Sequence, residues 1–161
     1  MSGAAFAVGR VPIADTLALR AKVLRPGGPP ESARVPGDDH PEAAAYAARD
    51  GGEIVGCVVL FPDPCPDLPG RAAGSWRIRG MATAIGWRGS GVGSAVLDAA
   101  LAHVRAAGGD LVWCNARTPA RTLYERAGFR QVGEEWIEGD FGLHVRMWCE
   151  LAPDQPANLS V

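Results

Sequence analysis

Between residues 75 and 110 the spacing of apolar positions changes from two to about three and a half, and that change organises the chain. In Ser75–Thr83 ("SWRIRGMAT"), Trp76, Ile78 and Gly80 alternate with Arg77, Arg79 and Met81, which predicts a strand with two unlike faces. From Val92, the run "VGSAVLDAALAHVRAAG" sets Val92, Val96, Ala99, Ala100 and then His103 or Val104 on one helical face, ended by a glycine pair. Upstream, "FAVGRV" over 6–11 reads as a first strand, and 14–24 as a helix carrying Leu17, Arg20, Lys22 and Leu24, with Asp15 or Thr16 as cap. "AAAYAARDGGEIVGCVVLF" is two strands about a Gly-rich turn, hence a hairpin. Downstream, "LVWCN" is a short buried strand. "TPARTLYERAGF" is a helix with Thr118 as N-cap, Pro119 at its first position and Gly128 as its stop. "FRQVGEEWIEG" and "LHVRMWCEL" close the chain as a second hairpin.

Two segments break the pattern. "RPGGPPESARVPGDDHP" is rich in Pro, Gly and acid and reads as a long loop, the kind that is often functional in a compact domain. "PDPCPDLPGR" is another loop. With 161 residues, no internal repeat and no linker, residues 1–153 form a single domain and 154–161 a C-terminal tail.

Composition narrows the classes. The chain is 47% hydrophobic and 21% charged, with a net charge of −2, so no bulk basic field draws in nucleic acid. Lys22 is the only lysine, and the arginine excess accompanies many Ala and Gly, so arginine number alone carries no function. No leader-like start and no apolar run of membrane-spanning length occur, which points to a cytoplasmic protein without a membrane partner. Cys57, Cys65, Cys114 and Cys149 are scattered without a C-x-x-C pair, so free thiols are expected and no metal site.

The residues between the two unlike elements carry the first chemical signal. "WRGSGVGSAV" places Gly89, Gly91 and Gly93 at alternate positions where a strand gives way to a helix. The spacing fits neither a Walker loop nor a dinucleotide fingerprint. What remains is Arg88-x-x-Gly91-x-Gly93, in which backbone N–H groups at a helix start could meet a phosphate or pyrophosphate. A glycine-rich turn chosen for tight packing would carry the same residues.

The arrangement of this motif after a strand, with a helix, a strand and the helix "LYERAGF" behind it, resembles the GNAT superfamily of N-acetyltransferases over roughly residues 75–130. The resemblance implies an α+β fold with a central mixed sheet of six or seven strands and about four helices. In it, acetyl-CoA wedges between the fourth and fifth strands. It further implies that Arg88, Gly89, Ser90, Gly91, Val92, Gly93 and Ser94 hold the coenzyme A pyrophosphate. Met81, Ala82 and Thr83 would meet the pantetheine arm, and Tyr124 would be the general acid. "LRAKVLRPG", "IRGMAT", "LVWCNART" and "GLH" resemble the glyphosate N-acetyltransferase group within that superfamily. There, arginines equivalent to Arg25, Arg79 and Arg117 grip an anionic substrate, and a histidine equivalent to His144 acts as base. Leu143 departs from that group, which usually has Pro before the histidine.

The chemistry of acetyl transfer to an amine asks for these residue types. The amine must lose a proton, and a free imidazole, with a pKa of about 6.5, can accept one at neutral pH. Strand N–H groups near Met81 can stabilise negative charge on the acyl oxygen. A tyrosine, with a pKa of about 10, can return a proton to a thiolate whose parent thiol titrates at about 8.5. Guanidinium forks suit carboxylate, phosphate or phosphonate, so the expected acceptor is a small amine bearing an acidic group. Acetylation of a protein N-terminus or lysine, and acetyl-CoA binding without turnover, remain alternatives. A homodimer stays open, and His40 and His103 receive no role.

Overall fold

The computed structural model describes residues 5–152, so the expected tail at 154–161 lies outside the described residues. Seven strands form one mixed sheet: β1 (Ala7–Val11), β2 (Ala44–Asp50), β3 (Glu53–Pro62), β4 (Ser75–Thr83), β5 (Leu111–Arg117), β6 (Arg130–Ile137) and β7 (Leu143–Glu150). Their order is β1-β2-β3-β4-β5-β7-β6, and the β4–β5 pair alone is parallel. Three α-helices are described: α1 (Leu17–Leu24), α2 (Val92–Ala106) and α3 (Arg121–Arg126). This is the α+β layering expected, with three α-helices where about four were anticipated. The Pro/Gly-rich segment after α1 supplies no further α-helix, because proline removes donors and fixes φ; it folds as two short 3-10 turns, Pro30–Ala33 and Pro36–Asp39.

The sheet separates two cores. On one face, Val92, Val96, Leu97, Ala100, Leu101 and Val104 of α2 pack on Trp76 and Ile78 of β4 and on Tyr124 of α3. Gly56 on β3 makes that contact possible: a Cβ there would come within 2.1 Å of Val92 Cγ1. On the other face, Leu19 of α1 packs with Val59, Phe61, Cys57 and Ala82. The pattern along α1 misses one fact. Arg20 is buried (1% exposed), pairs with the buried Asp38 at 3.2 Å and donates to the Ala33 carbonyl at 2.8 Å. The pair ties the loop after α1 to the helix.

Two further sequence readings need correction. Thr118 does not cap α3. Residues Thr118–Ala120 form a 3-10 turn, α3 begins at Arg121, and the Thr118 hydroxyl donates to the Leu143 carbonyl at 3.1 Å. Nor does Met81 share a face with Arg77 and Arg79. Gly80 adopts φ +64°. Against β3, Val59 pairs with Arg79 and Cys57 with Ala82, so β4 carries one extra residue there. This is a bulge with glycine in the left-handed region. It reverses the alternation beyond it, so that Met81 turns to the α2 core and Ala82 to the α1 core.

Candidate active site

The β4–β5 pair opens early. Only Ser75–Leu111, Trp76–Val112 and Arg77–Trp113 remain in register. From Ile78 onward the β5-facing edge of β4 therefore has no strand partner, and the bulge at Gly80 lies inside this opening. A cleft between two parallel strands that part company exposes backbone donors and acceptors that a ligand can satisfy. Met81, Ala82 and Thr83 stand on its β4 wall.

The glycine loop sits at the end of that wall. Gly91 is the N-cap of α2 with φ +89°, and Gly89 has φ +77°, conformations that favour glycine. The first helical bond described runs from Ala95 N–H to the Gly91 carbonyl, which leaves the N–H groups of Val92, Gly93 and Ser94 without intrahelical acceptors. Arg88, Gly89, Ser90, Gly91 and Ser94 are exposed. A Cβ at Gly91 would meet no atom within 4 Å, so there is open space before the helix start. Gly93 is closer set, with Leu123 Cδ2 at 3.5 Å and Thr83 Oγ1 at 3.6 Å from the same position on it. Val92 points its side chain inward (1% exposed), so only its backbone faces the loop. Free N–H groups, a positive helix end and room for a bulky anion fit a pyrophosphate.

Tyr124 reaches the core between α3 and β5. It is 3% exposed, and its ring packs on Phe129 with centroids 5.4 Å apart. Burial, with Cys114 of β5 beside it, holds its hydroxyl proton well above the usual tyrosine range. The gap to a thiol is therefore wider than free-residue values imply, and the hydroxyl is protonated throughout the neutral range.

His144 lies on the other face, at the start of β7, buried and paired in register with Arg117 of β5. Its Nδ1 sits 3.0 Å from the Gly142 carbonyl. A carbonyl can only accept, so Nδ1 carries the proton and Nε2 keeps the lone pair of the neutral ring. Leu143 in place of proline does not disturb this contact. Trp136 covers the ring with centroids 5.8 Å apart. It gets there because β6 carries two extra residues between Val132 and Trp136, around Gly133 at φ +75°.

Arg25 and Arg117, far apart in sequence, meet. The guanidinium groups of both donate to the Leu24 carbonyl, at 3.0 and 3.1 Å, and both lie over the Phe141 ring, at 4.1 and 5.5 Å. Arg79 occupies the same face of β4 as Arg77. Burial lowers its proton affinity first, and the charges of Arg77, Arg20 and Arg25 lower it further. Arg117 is lowered by burial and then by Arg25. Among the described residues none of Arg25, Arg79 and Arg117 has a carboxylate within ion-pair distance. Phe141, Trp136 and the Gly80 bulge escaped the sequence reading. The glycines flanking "GDFG" were the available sign of a shaped turn between the last two strands.

A seven-stranded sheet that splays beside a glycine loop, with a buried tyrosine on one face and a histidine among arginines on the other, is an acyl-transfer architecture. The comparisons agree. The sequence model of the Acetyltransferase (GNAT) family matches residues 16–129, and the chain belongs to that family. The chain is 29% identical over 145 residues to the uncharacterized N-acetyltransferase YitI of Bacillus subtilis (strain 168), covering 89% of this chain and 95% of that one. Its fold is similar to a putative N-acetyltransferase from Lactobacillus plantarum, with TM-score 0.73, 19% identity and 92% and 99% of the two chains covered. It is also similar to an aminoglycoside 6'-N-acetyltransferase solved with coenzyme A, with TM-score 0.70, 15% identity and coverage of 93% and 99%. The protein is an acetyl-CoA-dependent N-acetyltransferase. Among the described residues no helix is long and apolar enough to cross a membrane.

Proposed function

We propose that the acceptor is a small amine bearing a carboxylate, phosphate or phosphonate, as in the glyphosate N-acetyltransferase group. The observation that carries this reading is the meeting of Arg25 and Arg117 on one backbone carbonyl and one aromatic ring, with Arg79 close enough for its charge to be felt. Three guanidinium groups without carboxylate partners among the described residues create a field that an acidic group would relieve, and a lysine side chain would meet it with like charge.

In this reading the N–H groups of Val92, Gly93 and Ser94, with the backbone of Gly89 and Gly91, hold the pyrophosphate. The unpaired edge of β4 at Met81, Ala82 and Thr83 lines the arm. Bound acetyl-CoA supplies an activated thioester. Backbone N–H groups near Met81 offer donors to negative charge on the acyl oxygen. Arg25, Arg79 and Arg117 fix the acidic end of the acceptor. They also favour loss of the amine's proton by like-charge repulsion, and His144 Nε2 receives it. Tyr124 returns a proton to the departing sulfur from the opposite face of the sheet.

The test is an acetyl-CoA turnover screen over matched amines that differ only in an acidic group. Acidic amines should be preferred, and Arg117→Ala should erase the preference. A preference for neutral amines or peptides in the wild-type enzyme would overturn the assignment.

A further inference from the structure

The acceptor face does not stop at Arg79. Beside it lies a pocket of about 450 Å³, lined by Pro36 of the second 3-10 turn and His40 just after it, Phe61 of β3 and Asp63 just beyond it, and Arg77 and Arg79 of β4. The turn forms its roof and is held from two sides. Asp38 within it pairs with buried Arg20, and Gly37 sits so close to Phe61 that a Cβ would come within 2.1 Å of the ring. The pocket is therefore built by the fold rather than by a free loop.

Its two arginines face two aspartates, but their donors are not all met. Arg77 reaches Asp63 only at 3.5 Å, and its Nε is buried without an acceptor. The guanidinium is stacked over Trp113 at 4.6 Å, which fixes its plane. The other carboxylate of the lining, Asp39, is well exposed and turned to Arg34 at 3.9 Å. Asp63 is thus taken by Arg77, and Arg79 is left without an ion-pair partner among the described residues. Arg79 is lowered by burial and then by the charge of Arg77, whereas burial lowers Arg77 against the opposing pull of Asp63.

We infer that this pocket is a second anion subsite, in which Arg77 takes the far acidic group of an elongated acceptor whose near acidic group lies against Arg25, Arg79 and Arg117. The inference rests on the anionic-acceptor reading above and adds a length and a second charge to it. Arg77 and Arg79 are two residues apart on one strand face, about 7 Å between their Cα atoms. Trp113 pairs with Arg77, and Arg117 lies four residues further along β5, about 13 Å in the strand direction. That separation, less the reach of two arginine side chains, sets the length we assign to the acceptor, a linear diacid of about five to seven carbons. The specific chemistry is an amine carrying acids at both ends. A compact amino acid with one carboxylate would leave the pocket empty.

The probes are glutarate, adipate and pimelate, with butyrate and hexanoate as controls, titrated calorimetrically into the full-length protein saturated with coenzyme A. The diacids should bind at least tenfold tighter than monoacids of similar length. Arg77→Gln, which keeps a donor for Asp63, should remove that advantage and leave the monoacids alone, whereas Arg25→Ala should weaken both classes. His40→Trp, which fills the pocket and leaves both arginines in place, should reproduce the loss; it decides the matter if Arg77→Gln fails to fold. Diacids binding no better than monoacids, with Arg25→Ala still weakening both, would overturn the subsite and leave the acceptor reading standing. Diacid affinity indifferent to Arg77→Gln and His40→Trp would also overturn it. No binding of either class, with Arg25→Ala silent, would bring down the acceptor reading and the subsite together.

Discussion

Strand β4 sends Trp76 and Ile78 to one face of the sheet and Arg77 and Arg79 to the other, and the two faces offer a ligand different means of recognition. Under α2 the face is apolar: Val96, Leu97, Ala100 and Val104 close it almost completely. The ligand groups there are backbone N–H groups at a helix start and along an opened strand edge. Under α1 the face carries Arg20, Arg25, Arg77, Arg79, Arg117 and Arg146, and each charge needs something. Arg20 has Asp38, Arg77 has Asp63 and Trp113, and Arg146 has Asp67 at 2.7 Å and the Asn115 side-chain Oδ1 at 3.0 Å. Arg25, Arg79 and Arg117 have no carboxylate among the described residues. The comparison teaches that the proposed cofactor side offers shape and backbone, and so should tolerate change in side chains that point away. The proposed acceptor side is a balance of charges in which each removal should be felt by its neighbours.

The largest test of this division is Tyr124→Phe. It removes one hydroxyl from the apolar face and leaves the packing on Phe129. Turnover should fall about 10²–10⁴-fold, the range for a general acid. Coenzyme A affinity should hold, because the backbone carries it. Wild-type turnover would make Tyr124 a core residue and leave the apolar face without chemistry. Close behind comes Asp38→Ala on the arginine face. It strands a guanidinium that is 1% exposed, and losing one partner of such a pair costs about 3–5 kcal/mol in urea unfolding. Arg20→Met in the same chain should restore most of that loss, since it removes the orphaned charge. If the single variant is harmless, the arginine face is not held by charge balance.

The same contrast decides what the sequence shows. The strand–glycine–helix order across Trp76 to Val104 is local: alternation, a glycine cap and a helical stripe each lie within a few residues, and β4 and α2 form where the pattern puts them. The motif residues around Gly91 were legible for the same reason. The arginine face was legible only through resemblance, because Arg25 and Arg117 are brought together by Leu24 and Phe141, which no spacing connects. The Gly80 bulge was hidden in an unbroken alternation. One extra residue reverses every side chain after it, and a period-two pattern read through Met81 has no way to register the slip. Arg20 was hidden because its neutralising Asp38 lies eighteen residues away in a loop.

Arg117→Ala sharpens the comparison at the next scale. It removes one charge-assisted contact from the acceptor, worth about 1.5–3 kcal/mol or roughly 10- to 150-fold. The loss should fall on kcat/KM for acidic amines, with neutral amines and coenzyme A affinity little affected. An equal loss for acidic and neutral amines would mean that Arg117 supports the fold through the Leu24 carbonyl rather than the acceptor.

The smallest effect compares the faces through their buried thiols. Cys57 faces the α1 side and Cys149 belongs to the α2 core, and burial raises both thiols from 9.0 to about 12. A thiol held neutral in the fold but free to ionise when unfolded stabilises the protein fully below the unfolded value. That stability is lost as pH rises from about 9 toward 12. At pH 10 each thiol should therefore have cost about 1.4 kcal/mol relative to neutral pH. Cys57→Ala and Cys149→Ala should each flatten the decline in unfolding free energy between pH 8 and pH 10 by about that amount, whatever constant loss each causes at neutral pH. The faces differ in the next term. Arg20 pulls the Cys57 thiol down, whereas Arg105 does so for Cys149. In the Asp38→Ala, Arg20→Met double variant the Cys57 share of the decline should extend to higher pH while the Cys149 share stays put. Identical declines with and without the Arg20 charge would show that this charge does not reach across the α1 core to β3.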